Sequence, residues 1–353
     1  MPSESDESLT GGYYHLINRS AESLAKENDP LYFPISLRIV GTVIQGLIFL
    51  IGIVGNVIVI YVVAKLPSMW SPTNCYLVSL AVADCIVLIA AVPQEVVSYY
   101  LVGGTWIWGD LGCIHLVFFQ NLGINASSLS VTAFTVERYI AISKPLHART
   151  ISTVRHALKT IISLWTFAVV YCCPWFFLAK TVPIHYHSFP ELKLCVHKLS
   201  RDQYLGYYFT DLVLFYIVPV ILCAVLHFIM AYTLVIQPTA GSEIYIHAGN
   251  TQTLEPQFKS RISGRIKVVK MLALVSSLFA ILWLPYRGLL VYNSLAKVKY
   301  MDLWYLMAAK SCVYLNSAIN PILYNAMSVK FRRAYRVAFL CGSCSKCETP
   351  SEC

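Results

Sequence analysis

Residues 283–293 read WLPYRGLLVYN and close a long apolar run that begins near Val268. Two residues after Pro285 stands an arginine, Arg287. If the run crosses a membrane, a permanent cation has been carried into lipid, where charge is costly and marks function by default. Whether the run spans decides the fold, and the rest of the chain supplies the answer.

The 353 residues are 57% hydrophobic and 13% charged, with a mean hydropathy of +0.61. A soluble domain carries about 25% charged residues. Apolar runs long enough to span, roughly 20 residues, recur at about 38–65, 74–102, 110–143, 156–179, 203–235, 262–292 and 303–326. The expectation is an all-α membrane protein, a seven-transmembrane helix bundle with a short amphipathic eighth helix. Residues 1–37 are expected as an extracellular tail, 38–326 as the helical domain, and 327–353 as the amphipathic helix and a short cytoplasmic tail. The first 37 residues are polar and acidic and lack a secretory signal's basic patch and short apolar core, so the first span is expected to insert itself.

Basic residues set the orientation. With the N-terminus outside, sixteen of the 27 Lys and Arg fall on the inner side, nine on the outer side, and Arg287 and Lys310 within spans. That bias predicts an extracellular N-terminus and a multi-pass protein of the plasma membrane. The net charge of +9 is then explained by loops facing anionic lipid and an acidic partner, with no call for nucleic acid. Asn18, in the sequon Asn18-Arg19-Ser20, lies in the outer tail and is a glycosylation candidate.

The inner stretch 236–261 is polar and rich in Gly, Pro and Thr, and reads as a mobile loop. The outer stretch 180–202 partly alternates and reads as a hairpin. In VKFRRAYRVAFL (329–340), Phe331, Tyr335 and Phe339 fall one turn apart among basic residues, the pattern of a helix lying on the inner membrane surface. Cys113 and Cys195 both face the oxidising side, which favours a disulfide between them over two free thiols. Cys341 and Cys344 follow the surface helix without an accompanying histidine, so lipidation is expected there rather than zinc.

Polar residues inside spans need reasons. Asp84 in LAVAD has Asn56, Ser127, Asn316 and Asn320 as candidate neighbours if the helices converge. The set suits a small cation; the alternative is a structural hydrogen-bond network. Glu137-Arg138-Tyr139 ends the third span, and Arg138 is read as pairing locally, meeting a partner protein, or snorkelling. Prolines at 93, 174, 219, 285 and 321 each remove a backbone hydrogen bond and kink a helix.

Taken in order, one per span, these features resemble the rhodopsin-like G-protein-coupled receptors. The resemblance covers about 38–340 and rests on Gly55-Asn56, LAVAD (80–84), Cys113 with Cys195, ERY (137–139), Trp165, Pro219, Phe279 with WLPY (283–286), and NPILY (320–324). Within that family, SPTNCYLVSLAVAD (71–84), LGINASS (122–128), AFTVERYIAI (133–142), LPYR (284–287) and YLNSAINPILYN (314–325) are most similar to thyrotropin-releasing hormone receptors and related neuropeptide receptors. The resemblance implies a receptor for a short amidated peptide, coupled to a heterotrimeric G-protein of the Gq class, phospholipase C and calcium.

It also implies roles. The candidate ligand residues are Gln120, Asn121, Asn125, Tyr286, Arg287, Asn293 and Lys310, with Tyr292 nearby. Asn121 stands where the family carries a tyrosine, and Lys310 where it carries an arginine. Asp84, Ser127, Trp283, Asn316 and Asn320 match the family's sodium pocket, and no other cofactor is expected. Glu137, Arg138, Tyr139, Leu146, Pro285 and Tyr324 match its coupling and activation positions. His227 replaces a tyrosine in the fifth span. Arg265 stands where an acidic residue often locks Arg138 to the sixth span, so Glu137 is expected as the resting partner of Arg138, with some basal activity.

In this fold, amine receptors carry an aspartate at the position of Gln120, and opsins a lysine at the position of Tyr314, so neither ligand is offered its partner. Amides and the two cations suit peptide carbonyls, a terminal carboxamide or an acidic side chain. The alternative for Lys310 is a salt bridge to Glu95, and for Arg287 snorkelling to the surface. A different peptide or G-protein remains open. A transporter or channel would show repeats or a polar path, and a membrane enzyme a nucleophile-base set, HExxH or GxSxG; none appears in the sequence.

Overall fold

The computed structural model describes residues 32–186, 189–198, 201–247, 255–296, 298 and 300–340. Among them, seven long helices form the bundle. They are α1 (Ile35–Lys65), α2 (Pro72–Ser98), α3 (Gly109–Ser143), α4 (Val154–Cys172), α5, α6 (Glu255–Leu295) and α7 (Leu303–Met327). Helix α5 runs through Arg201–Leu212, a π turn at Val213–Ile217 and Val218–His247. After α7 comes the short α8 (Val329–Leu340). Between α4 and α5, strands β1 (Ala179–Tyr186) and β2 (Phe189–His197) pair antiparallel, which is the expected hairpin.

Helix starts follow local chemistry. The Ser71 hydroxyl accepts from the Asn74 N–H ahead of α2, Thr153 from His156 ahead of α4, and Asp302 from Tyr305 ahead of α7. The inner connection is shorter than its composition suggests: α5 continues to His247 and α6 begins at Glu255. Pro256 sits in the first turn of α6, where a missing N–H costs nothing, and the Lys- and Arg-bearing stretch after it has good helix propensity.

The bundle has an apolar core and turns an apolar face outward as well. On α1 the stripe Ile39, Val43, Leu47, Leu50 and Val54 is exposed, while Gln45, Asn56 and Val59 are buried. Lipid is the environment that suits such a face. By length and composition, Ile35–Lys65, Pro72–Ser98, Val154–Leu178, Leu205–Leu234 and Val268–Leu295 are apolar enough to cross a membrane. Helices α3 and α7 fall short of that measure because they carry the polar interior. Asn125, Ser127, Ser128 and Ser130 on α3, and Ser311, Asn316, Ser317 and Asn320 on α7, are all buried.

Close approach lets these groups meet. A Cβ at Gly123 would lie 2.9 Å from the Val87 backbone nitrogen and 3.1 Å from the Ala83 carbonyl, so only glycine lets α3 sit this near α2. Two prolines are compensated across helices. Pro219 has no N–H for the Phe215 carbonyl four residues back, and the Ser128 hydroxyl on α3 donates to it at 2.6 Å. Pro321 likewise leaves the Ser317 carbonyl open, and Asn56 Nδ2 on α1 donates to it at 2.9 Å.

Candidate ligand-binding cavity

At the hairpin end of the bundle lies a cavity of about 420 Å³, within the range of small-ligand sites, roughly 300–1,000 Å³. Leu194, Cys195, Val196 and His197 of β2 form part of its wall. The hairpin is held there by a disulfide from Cys113 at the start of α3 to Cys195, with Cα atoms 5.6 Å apart, and by the Trp106 N–H, which donates to the Lys193 carbonyl at 2.7 Å. Burial lowers the His197 imidazole to about 4, so it is neutral near pH 7.

Gln120, Asn121, Trp283, Tyr286, Arg287, Asn293 and Lys310 all line the cavity. Asn125 is not among its lining residues; it is buried, with Nδ2 3.5 Å from Cys172 Sγ and Oδ1 without a partner. Tyr292 is 56% exposed and lies outside the lining. The Asn293 amide holds both backbone groups of Tyr300, accepting from its N–H at 2.8 Å and donating to its carbonyl at 3.0 Å.

Arg287 does not snorkel. It is 6% exposed, and its Nη1 donates to Asp211 Oδ2 on α5 at 2.8 Å. Asp211 also lines the cavity, and the sequence reading missed it. The signal was available: an acid inside the fifth apolar run, YYFTDLVLF (207–215), falls under the same rule as Arg287. The guanidinium carbon lies 5.1 Å from the Trp283 ring centre and 6.0 Å from that of Tyr208, within cation–π reach. Lys310 has the partner offered as its alternative: Nζ donates to both Glu95 oxygens, at 2.9 and 2.7 Å.

Below the cavity, Asp84 is fully buried. Ser127 donates to its Oδ1 at 3.0 Å and Asn320 Nδ2 to its Oδ2 at 2.8 Å. Asn316 is buried as well, and Trp283 packs 6.2 Å from the Phe279 ring at the cavity wall. A carboxylate and a hydroxyl are hard oxygen donors, so Asp84 and Ser127 fit a small hard cation. Among the described residues no cluster of three or more His, Cys, Asp or Glu could hold a metal ion.

At the opposite end, Arg138 pairs with Glu137 at 3.6 Å, and its Nε has no partner. Tyr139 packs against Ile142, Met230, Leu234 and Val269. Leu146, on the short helix Pro145–Ile151, is 79% exposed. Tyr324 is buried with its ring 6.1 Å from Phe331 of α8. The His227 Nε2 is buried without a partner. Asn18, Cys341 and Cys344, and the side chain of Arg265, lie outside the described residues.

Seven helices around a cavity walled by a disulfide-tethered hairpin form a multi-pass membrane receptor. The chain belongs to the rhodopsin family of seven-transmembrane receptors, whose model matches residues 55–324. It is not an enzyme. The thyrotropin-releasing hormone receptor of Homo sapiens is 44% identical over 299 residues, covering 81% of this chain and 74% of that receptor. The Bos taurus receptor of the same name gives the same figures. Neuromedin-U receptor 2 of Mus musculus is 31% identical over 339 residues, covering 91% of this chain and 80% of that receptor.

Proposed function

We propose that this neuropeptide-class receptor binds a short amidated peptide in the cavity and signals through a Gq-class G-protein to phospholipase C and calcium. The observation that carries the reading is the lining itself. Two ion pairs, Asp211–Arg287 and Glu95–Lys310, and the amides of Gln120 and Asn121 line an otherwise largely apolar cavity. Gln120 offers no carboxylate to an amine. Paired charges and amides recognise a ligand rich in amide groups. Similarity to receptors named for thyrotropin-releasing hormone makes that peptide the first to try.

The mechanism is a shift of population. Peptide binding favours a packing in which the far end of α6 moves away from α3 and releases Arg138 from Glu137. Arg138, the exposed Leu146 and the basic face of α8 then meet the G-protein. Asp84 and Ser127 would hold a sodium ion through their oxygens, and its charge would offset that of Asp84 in the resting packing. The excess of basic residues at the G-protein end supports an extracellular N-terminus. Expressing cells exposed to a synthetic peptide library, thyrotropin-releasing hormone included, are expected to release calcium to an amidated member. Loss of that response under a Gq inhibitor checks the coupling, and silence to the whole library defeats the reading.

A further inference from the structure

The Asp211–Arg287 pair is only half engaged. A guanidinium can give a carboxylate two parallel hydrogen bonds, yet here a single one forms, from Nη1 to Oδ2 at 2.8 Å. The Nε of Arg287 is buried and without a partner. A buried donor left open is a feature that native structures rarely retain without a use. Both side chains line the cavity and are largely buried, 7% exposed for Arg287 and 12% for Asp211. The nearby Trp283 and Tyr208 rings hold the guanidinium in place. Free donors and a carboxylate acceptor therefore stand side by side in a fixed frame.

The ligand group that answers both carries an acceptor and a donor on one plane. An amide does: its carbonyl meets Arg287 and its N–H meets Asp211. A carboxylate answers only the arginine and meets Asp211 as a like charge in a poorly solvated site. An ammonium answers only Asp211 and meets Arg287 as a like charge. The other ion pair of the cavity is built differently: Lys310 donates to both oxygens of Glu95, and neither residue has a buried polar atom without a partner.

We propose that Asp211 and Arg287 together read a carboxamide, and that Asp211 is the specificity residue that rejects the corresponding carboxylate. The inference rests on the reading of this cavity as a peptide site. It adds which side chains tell an amidated terminus from a free one.

The test uses the full-length receptor, calcium release, and synthetic short peptides made in pairs that differ only in a C-terminal carboxamide or carboxylate. Thyrotropin-releasing hormone and its free acid form one pair. On the wild-type receptor the amide of an active pair is expected to be on the order of 100-fold more potent than the acid. Asp211→Asn keeps the shape and removes the charge. It is expected to weaken the amide and strengthen the acid, bringing the two within about tenfold.

A wild-type ratio near one overturns the proposal without any variant. So does an Asp211→Asn receptor that shifts both peptides equally or neither. If Asp211→Asn fails to reach the surface, the neutral pair Asp211→Asn with Arg287→Gln replaces it; a ratio near one supports the proposal and a retained preference sinks it. Silence of the wild-type receptor to every peptide of either form defeats the peptide-site reading, and the carboxamide reader falls with it. A response without amide preference defeats the reader alone.

Discussion

Two ion pairs line one cavity and are built differently. Lys310 and Glu95 join α7 to α2 through a compact ammonium that takes both carboxylate oxygens, with side chains 27% and 18% exposed. Arg287 and Asp211 join α6 to α5 through one hydrogen bond, deeper, with side chains 7% and 12% exposed. The first pair engages both carboxylate oxygens and is partly wet; the second is drier and leaves the Arg287 Nε without a partner. A charge inside a span marks a functional position only loosely. The hydrogen bonds its partner leaves unfilled say more about what it can still meet.

The comparison can be broken most directly at Arg287. Arg287→Ala leaves Asp211 buried and unpaired, a change expected to cost about 3–5 kcal/mol of stability together with a potency loss of roughly 100-fold or more. The double variant Asp211→Ala with Arg287→Ala is expected to recover surface yield, read by flow cytometry, while calcium potency stays low. Recovery of potency as well would make the pair structural only.

A finer cut keeps the charge and changes its shape. Arg287→Lys is expected to lower potency by about 10-fold or more, since an ammonium cannot reproduce the fork. The reciprocal Lys310→Arg should stay within about threefold, because Glu95 can accept either cation. Equal losses at the two sites would erase the distinction drawn between them.

Smaller effects follow. Asp84→Asn is expected to abolish a sodium-dependent drop in peptide affinity of about fivefold, measured by competition binding in sodium against potassium, without altering the ranking of the two ion pairs. Last comes Glu95→Gln, expected to change stability by about 1 kcal/mol, since the pair is partly exposed, and potency by less than about threefold. Thermal denaturation of the detergent-solubilised receptor and calcium dose-response curves check both figures.

The spans were legible because lipid imposes a one-dimensional rule: a run must be long and apolar. The hairpin and the Cys113–Cys195 pairing were legible from alternation and compartment. What escaped was tertiary. Asp211 lies 76 residues before Arg287, and no periodicity connects them. Glu95 was recognised as a partner for Lys310 across 215 residues only because it stood out as an acid in its own span. Asp211 stood out equally and was passed over. Asn125 and Tyr292 share segments with true cavity residues, yet small differences in helix phase bury one and turn the other outward. The inner connection looked like a long loop because polarity was read as disorder, whereas helices can run on into water when their propensity allows.

The prolines were visible too, but not their stays. Helix α5 has its loose carbonyl moored from α3 by Ser128, and α7 from α1 by Asn56. Each of those bends has a compass direction set by a neighbour. Helix α6 differs: among the described residues no side chain donates to the carbonyl of Ile281, which Pro285 leaves open, and the bonds α6 accepts nearby fall on Ala280 from Tyr216 and on Pro285 from Tyr305. A mast with its guy-line cast off can swing where its braced companions cannot. The break in α6 sits two residues from Arg287, so whatever occupies the cavity pulls beside a joint whose open carbonyl no neighbouring helix holds.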